Sequence, residues 1–164
     1  MKTVQPLAGP LGAKAVTSHL DELGVHYELV SHEPTFRAVD DAAANGVPPH
    51  HELKTLGLRG AKGLVLAALR ASERLDLHKA RELLEDRHVQ LASEEEIARA
   101  CPILDVGALP PLGPGLPRLA LLDVRVPKHS RIVCAAGDRR HSLVLSPADL
   151  VNVARPRVAD ICQD

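Results

Sequence analysis

Hydrophobic positions along this chain of 164 residues switch repeatedly between helical and strand spacing. Val16, Leu20 and Leu23 recur at helical spacing before Gly24, a residue suited to the left-handed end of a helix, and so predict a helix over 13–23. Further helices are predicted over 39–44, 76–84, 93–100 and 147–153. Strands are predicted over 25–30, 53–58, 64–69, 89–91, 119–126, 131–135 and 141–145, and a last strand or a turn over 157–161.

Local capping signals support several of these boundaries. Asp76 can cap the third helix, Ser93 with Glu96 three residues later forms a capping box, and Ser146 before Pro147 is a typical helix start. Hairpin-like strands mixed with scattered helices predict an α+β fold, a single domain with a mixed, mostly antiparallel sheet or barrel surrounded by helices. Residues 1–12 show no periodicity and predict a flexible N-terminus, which leaves 13–164 as the domain.

Composition narrows the classes of partner. Hydrophobic residues make up 45% of the chain, but it holds one Tyr, one Phe and no Trp, so stacking of bases on aromatic side chains is almost unavailable. The net charge of −1 argues against nucleic-acid binding by bulk charge. Residues 118–157 are locally basic, with eight basic and three acidic side chains, which leaves open either a weak phosphate-binding face or a solvated mixed surface.

The spacing of the cysteines and the length of the apolar runs indicate the cellular compartment of the protein. The three cysteines, Cys101, Cys134 and Cys162, are widely spaced and form no C-x-x-C motif, which favours a reducing compartment. We expect Cys134 to be a core residue. No apolar run approaches about 20 residues, and the N-terminus lacks a secretory pattern. We expect a cytoplasmic protein without membrane contact.

The common catalytic signatures are missing from the sequence. It has no G-x-S-x-G, no P-loop and no G-x-G-x-x-G. His50-His51-Glu52 invites a metal-dependent hydrolase, but the H-E-x-x-H pattern would need a histidine where Thr55 stands. We expect surface histidines here, no metal and no cofactor.

Two features remain as candidates for chemistry. Lys54 lies in a predicted strand, either as a solvated edge lysine or as a functional group. The segment Gly107 to Gly113 carries two prolines that fix the backbone and two glycines that free it, so its N–H groups could cradle a carbonyl or carboxylate, or it could be a plain connection.

An ordered set of motifs resembles the YbaK family of prolyl-tRNA synthetase-associated editing domains. The set begins with His32-Glu33-Pro34, Ala42 to Pro48 and Lys54-Thr55-Leu56, and continues with Leu75 to Lys79, the G-x-x-x-P loop Gly107 to Pro111 with Gly113, Leu122-Asp123, Gly137 and Pro147 to Leu150. The resemblance covers roughly residues 15–162, and each motif is weak by itself.

The resemblance implies both an activity and its residues. The activity is hydrolysis of a mischarged amino acid from tRNA. Lys54 falls on the family's essential lysine, and Thr55 accompanies it as a substrate-binding residue. Gly107, Ala108, Leu109, Pro110, Pro111 and Gly113 fall on its substrate loop, and His141 on a strand position facing the aminoacyl pocket. Ile103 and Pro110 stand where many relatives have Gly and Ser, which leaves the branch of the family, and so the amino acid, open.

The function expected from the resemblance is trans-editing of Ala-tRNA(Pro) or Cys-tRNA(Pro). Its partners would be aminoacyl-tRNA and a prolyl-tRNA synthetase. A placed water and backbone donors could suffice for an activated ester, with Lys54 gripping phosphate or ribose or stabilising the oxyanion. A non-catalytic module that binds aminoacyl-tRNA or the synthetase with the same fold remains the alternative.

Overall fold

Eight strands form one sheet in the computed structural model, which describes residues 12–164. The strands are β1 (Tyr27–Ser31), β2 (Glu52–Gly60), β3 (Gly63–Arg70), β4 (Gln90–Leu91), β5 (Leu119–Asp123), β6 (Ile132–Ala135), β7 (His141–Leu145) and β8 (Arg157–Ala159). The helices are α1 (Gly12–Leu23), α2 (Ala38–Ala44), α3 (Leu77–Leu84), α4 (Glu94–Ala100) and α5 (Pro147–Ala154). The segment 1–11 of the predicted flexible N-terminus lies outside the described residues.

The sheet runs in the order β1-β7-β6-β2-β3-β5-β8, with β4 added beside β2. The pairs β1–β7, β6–β7, β2–β3 and β2–β4 are antiparallel, and β2–β6, β3–β5 and β5–β8 are parallel. The α+β prediction with a mostly antiparallel sheet is therefore confirmed.

Capping side chains fix two of the helix starts as the sequence predicts. Asp76 accepts hydrogen bonds from the backbone N–H groups of His78 and Lys79 at the start of α3. Ser93 and Glu96 exchange the two bonds of a capping box at the start of α4. At α5 Ser146 occupies the cap position before Pro147, but its side chain makes no capping hydrogen bond.

The strand predicted over 119–126 is too long. β5 ends at Asp123, whose carboxylate accepts the backbone N–H of Arg125 at 3.1 Å and its guanidinium at 3.0 Å. These bonds close a turn, and Pro127 then lies in a 3₁₀ turn at Val126–Lys128. A local side-chain bond to the backbone thus outcompetes the strand ladder.

Two apolar clusters lie on opposite faces of β2. Leu53 packs with the buried face of α1 and with Ile97 of α4, whereas Leu58 packs with Ala80 of α3. Gly57 leaves room for Ile97, because a Cβ atom at position 57 would overlap the Cδ1 atom of Ile97. Since side chains alternate along a strand, Glu52 and Lys54 lie on the face opposite Leu53.

Candidate active site

The edge of β2 is left open at its centre. On one side β2 pairs with β3 along its length, but on the other it pairs with β6 only at Glu52 and Leu53 and with β4 only at Leu58 and Arg59. Backbone groups alternate between the two sides of an antiparallel strand, and Gly57 accepts the N–H of Ala92 on the open side. Thr55, two residues earlier, therefore presents its N–H and C=O to the gap.

A cavity of about 180 Å³ opens beside this segment. Four parts of the chain contribute to it: the turn before α2 with α2 itself, β2, the glycine-proline loop, and the end of β6 with the following turn. Its lining residues are Thr35, Arg37, Ala38, Asp41, Glu52, Leu53, Lys54, Thr55, Leu56, Gly107, Ala108, Leu109, Ala135 and Asp138.

The cavity brings together five of the residues predicted to form the site. Lys54 and Thr55 line it together with Gly107, Ala108 and Leu109, although more than fifty residues separate the two segments. The other predicted residues, Pro110, Pro111, Gly113 and His141, do not line the cavity. The two prolines are buried behind the loop.

Lys54 is half-buried in the cavity wall without a counter-ion. Among residues 12–164, no carboxylate lies within 4.0 Å of its ammonium, and none of its protons is donated in a hydrogen bond. Burial lowers the pKa of Lys54 below its ordinary value of 10.5. An unpaired, partly desolvated ammonium in a cavity is a strong candidate for binding an anion or a developing negative charge.

Two free donors of the glycine-proline loop belong to residues that line the cavity. The N–H of Ala108 already donates to the carbonyl of Asp105 at 3.1 Å. Among the described residues, the N–H groups of Gly107 and Leu109 have no such acceptor, and Pro110 and Pro111 have no N–H to offer. Gly107 adopts φ +88°, a left-handed conformation that a side chain would strain.

A polar network that the sequence did not predict forms one wall of the cavity. Asp41 accepts hydrogen bonds from Ser142 Oγ at 2.8 and 2.9 Å and from Thr35 Oγ1 at 3.1 Å, and lies 2.9 Å from His32 Nε2. The other ring nitrogen of His32, Nδ1, lies 2.7 Å from the carbonyl oxygen of Glu33. The network ties α2 to β7 and fixes Asp41 at the cavity.

Glu52 is the second acid of this wall and is 0% exposed. Within the described part of the chain, no donor from another residue reaches its carboxyl oxygens. Burial, followed by its hydrogen bond to Asp41 and the negative charge there, raises the pKa of Glu52 to about 11. This shift favours the neutral, protonated form of Glu52 at neutral pH, with the Asp41 carboxylate as the neighbouring acceptor.

Asp138 is the third acid, and it links His141 to the cavity. Both of its carboxylate oxygens lie 2.9 Å from Nδ1 of His141. The backbone N–H of Arg140 also donates to it at 2.8 Å. His141 thus meets the cavity through the carboxylate of Asp138.

The sequence contains only weak signals for the acidic residues Asp41 and Glu52 of the cavity. Glu52 directly precedes the predicted strand 53–58, and Asp41 lies in an alanine-rich helix. Charged residues in apolar elements are unusual unless they are paired in the folded protein. Their partners are about a hundred residues away in the case of Ser142, so the sequence could not show the pairing.

Other candidate sites on the surface are less organised. A depression of about 790 Å³ beside α3 is lined by charges of both signs and contains none of the predicted residues. Within residues 12–164, the one group of three potential metal ligands with donor atoms inside 4.8 Å is Asp123, Asp160 and Cys162. It includes neither His50 nor His51, and Arg125 pairs with both of its carboxylates. No helix of residues 12–164 has the length and apolar character needed to cross a membrane.

Comparison with known proteins identifies the family. A profile of the aminoacyl-tRNA editing domain matches residues 32–153, which include Lys54 and the whole glycine-proline loop. The chain belongs to the aminoacyl-tRNA editing domain family. The predicted resemblance to YbaK-like editing domains is confirmed. Membership of this family also supports a role in translation fidelity.

Solved structures share the fold over nearly the whole chain. One, a candidate trans-editing enzyme for prolyl tRNA synthetase, is 27% identical with a TM-score of 0.85 and covers 97% of this chain and 100% of its own. A scaffold protein used for computational epitope grafting and a hypothetical protein are each 25% identical with TM-scores of 0.82. They cover 94% and 91% of this chain, and 98% and 99% of their own. No curated protein matches the sequence.

Proposed function

We propose that this editing domain hydrolyses the ester bond of mischarged aminoacyl-tRNA, acting in trans on tRNA(Pro) that carries alanine, with cysteine as the second candidate. One observation supports this above all: Lys54, whose ammonium is unpaired among residues 12–164, lines the same cavity as Gly107 and Leu109, whose N–H groups have no acceptor in the described chain. The solved structure that is 27% identical, a candidate trans-editing enzyme for prolyl tRNA synthetase, supports tRNA(Pro) as the substrate and the synthetase as a partner.

The proposed reaction needs no nucleophilic side chain. A water oxygen attacks the ester carbonyl, the bond between that carbon and the ribose oxygen breaks, and the water proton ends on the ribose hydroxyl. The products are the free amino acid and tRNA. The carbonyl oxygen carries negative charge in between, and N–H donors or an ammonium aimed at it stabilise that charge; losing one such donor typically costs about 10²–10³ in rate.

Lys54 has two roles that fit its position. Its ammonium can stabilise the oxyanion, or it can hold the terminal phosphate or ribose so that the ester reaches Gly107 and Leu109. The protonated state is needed for both. Asp41 and Asp138 add negative charge to the same cavity, and we propose that they attract the α-ammonium group of the amino acid.

The size of the cavity favours a small amino acid. Its volume of about 180 Å³ is below the range of roughly 300–1,000 Å³ that is usual for pockets of drug-sized ligands. Leu109 lies in its wall and limits growth of the side chain. A pocket distinguishes one methylene by only about 10–200-fold, so some activity on cysteine and serine is expected.

A panel of tRNA(Pro) charged with alanine, cysteine, serine or proline tests this function. The initial rate of ester loss with catalytic amounts of protein should be highest for alanine and lowest for proline. Equal rates for alanine and proline would contradict the small pocket. Binding of all four tRNAs without hydrolysis would contradict the enzyme and favour the non-catalytic module.

A further inference from the structure

The one phenylalanine of the chain stands on the rim of the cavity. Phe36 lies between Thr35 and Arg37, which both line the cavity, and 67% of its surface is exposed. It is the most exposed large hydrophobic residue of the described chain. An exposed aromatic ring adds little to the folded core, so its position at the rim calls for another explanation.

The ring is backed by a guanidinium that is itself held in place. The Cζ atom of Arg139 lies 4.9 Å from the ring centroid. Nη2 of Arg139 donates to the carbonyl of Val106 at 2.8 Å, immediately before Gly107. The carbonyl of Arg139 accepts the N–H of Thr35 at 2.9 Å. These bonds join the turn that carries Phe36 to the glycine-proline loop.

This arrangement leaves one face of the ring for a ligand. The guanidinium covers one face at cation–π distance, and the exposed fraction of the ring places the opposite face in solvent. A free aromatic face beside a positive charge is the usual platform for an unpaired nucleobase, because every base has a π-face and is attached to a phosphate backbone.

The substrate places a nucleobase close to this ring. The ester in the proposed function is on the terminal ribose, and the terminal base is attached directly to that sugar. A ribose at the mouth of the cavity must therefore hold its base at the rim. We propose that the terminal nucleobase of the tRNA stacks on Phe36, with Arg139 behind the ring; this proposal rests on the proposed function.

Replacement of the ring tests the proposal with Ala-tRNA(Pro). Phe36→Leu keeps an apolar side chain but removes the π-face, and we expect it to raise the KM for deacylation about tenfold with kcat within twofold. Phe36→Trp should keep the KM near that of the unmodified protein. Val158→Ala, which trims an exposed apolar residue on β8 at the far edge of the sheet, is the control and should leave both constants unchanged.

A second substrate separates stacking from damage to the cavity. Alanine esterified to ribose without a base should be hydrolysed equally by the unmodified protein and by Phe36→Leu. A Phe36→Leu KM within twofold of the unmodified value on Ala-tRNA(Pro) would overturn the proposal. So would an equal loss on the ester that lacks a base.

Direct binding keeps this test independent of the reaction. The chain has a single phenylalanine, so its ring protons form one identifiable set of NMR signals. Titration with adenosine should move them upfield, as stacking requires. Unmoved signals at millimolar adenosine would overturn the platform even if the protein deacylates tRNA. Moved signals in a protein that deacylates no tRNA would contradict only the proposed function.

Discussion

Glu52 and Lys54 show how single residues of one strand share the cavity. They are two positions apart, so they point to the same face of β2. Glu52 is fully buried, which raises its pKa and favours the neutral form, whereas Lys54 is half-buried and has no counter-ion among residues 12–164. A charged Glu52 would repel the Asp41 carboxylate, and the neutral form avoids that repulsion.

The protonated state of Glu52 has a consequence for stability. In the unfolded chain its pKa is the ordinary 4.5, and in the folded protein it is about 11. Between these values the folded state binds one more proton than the unfolded state, so this residue's contribution to stability falls as the pH rises. The effect is absent below about pH 4.5.

Glu52→Gln should remove this loss. The amide keeps a donor for Asp41 and has no proton to lose, so we expect the variant to gain several degrees in Tm over the unmodified protein at pH 8. At pH 5 the gain should be small. One kcal/mol corresponds to about 2–4 °C in a domain of this size. Circular dichroism melts at both pH values measure this, and an equal difference in Tm at the two would contradict the protonated Glu52.

At the scale of elements, the glycine-proline loop serves the core and the cavity together. Leu109 lines the cavity, yet it is 8% exposed and packs in the larger apolar cluster. Enlarging the pocket at this residue therefore has a cost in stability. Buried Leu→Ala changes typically cost about 2–5 kcal/mol.

Leu109→Ala should widen the choice of amino acid. We expect the ratio of the rate on Cys-tRNA(Pro) to that on Ala-tRNA(Pro) to rise at least threefold, in a protein that is measurably less stable. Leu112→Ala on the same loop is the matched control, because Leu112 does not line the cavity. An unchanged ratio in Leu109→Ala would show that this side chain does not set the pocket volume.

The stability of the short helix α4 depends on the capping box at its first residues. It has seven residues, and Ser93 and Glu96 satisfy two of its unpaired N–H groups. Ser93→Ala should lower the free energy of unfolding by about 1 kcal/mol, or roughly 2–4 °C in Tm, without a change in deacylation. Ser93→Asp should restore the Tm, because aspartate also caps helices. A Ser93→Ala variant with the Tm of the unmodified protein would contradict the role of this cap.

Elements were predicted from the sequence better than their arrangement. The capping box at Ser93 and the cap at Asp76 are local, since both partners lie within three residues, and both are confirmed. The end of β5 was missed because Asp123 bonds to its neighbour Arg125. The parallel pairings of β2 with β6 and of β3 with β5 depend on contacts over long separations, which hydrophobic spacing does not encode.

At the scale of the whole molecule, the site is a product of this topology. Pairing of β2 with β6 and β4 at its two ends leaves Thr55 facing an open edge, and the loop from Gly107 closes over it. Motif order placed Lys54 and the loop among the candidate site residues, and residues from both line one cavity. The acids Asp41, Glu52 and Asp138 were missed because their significance depends on partners brought together by folding.

The most direct test of the central proposal compares the unmodified protein with Lys54→Ala on Ala-tRNA(Pro) under single-turnover conditions. Removal of an unpaired, half-buried ammonium should leave the Tm within a few degrees and slow ester hydrolysis at least tenfold. Lys54→Arg keeps the charge but not the compact ammonium, and should recover part of the rate. A Lys54→Ala rate within twofold of the unmodified protein would contradict the assignment of this cavity as the deacylation site.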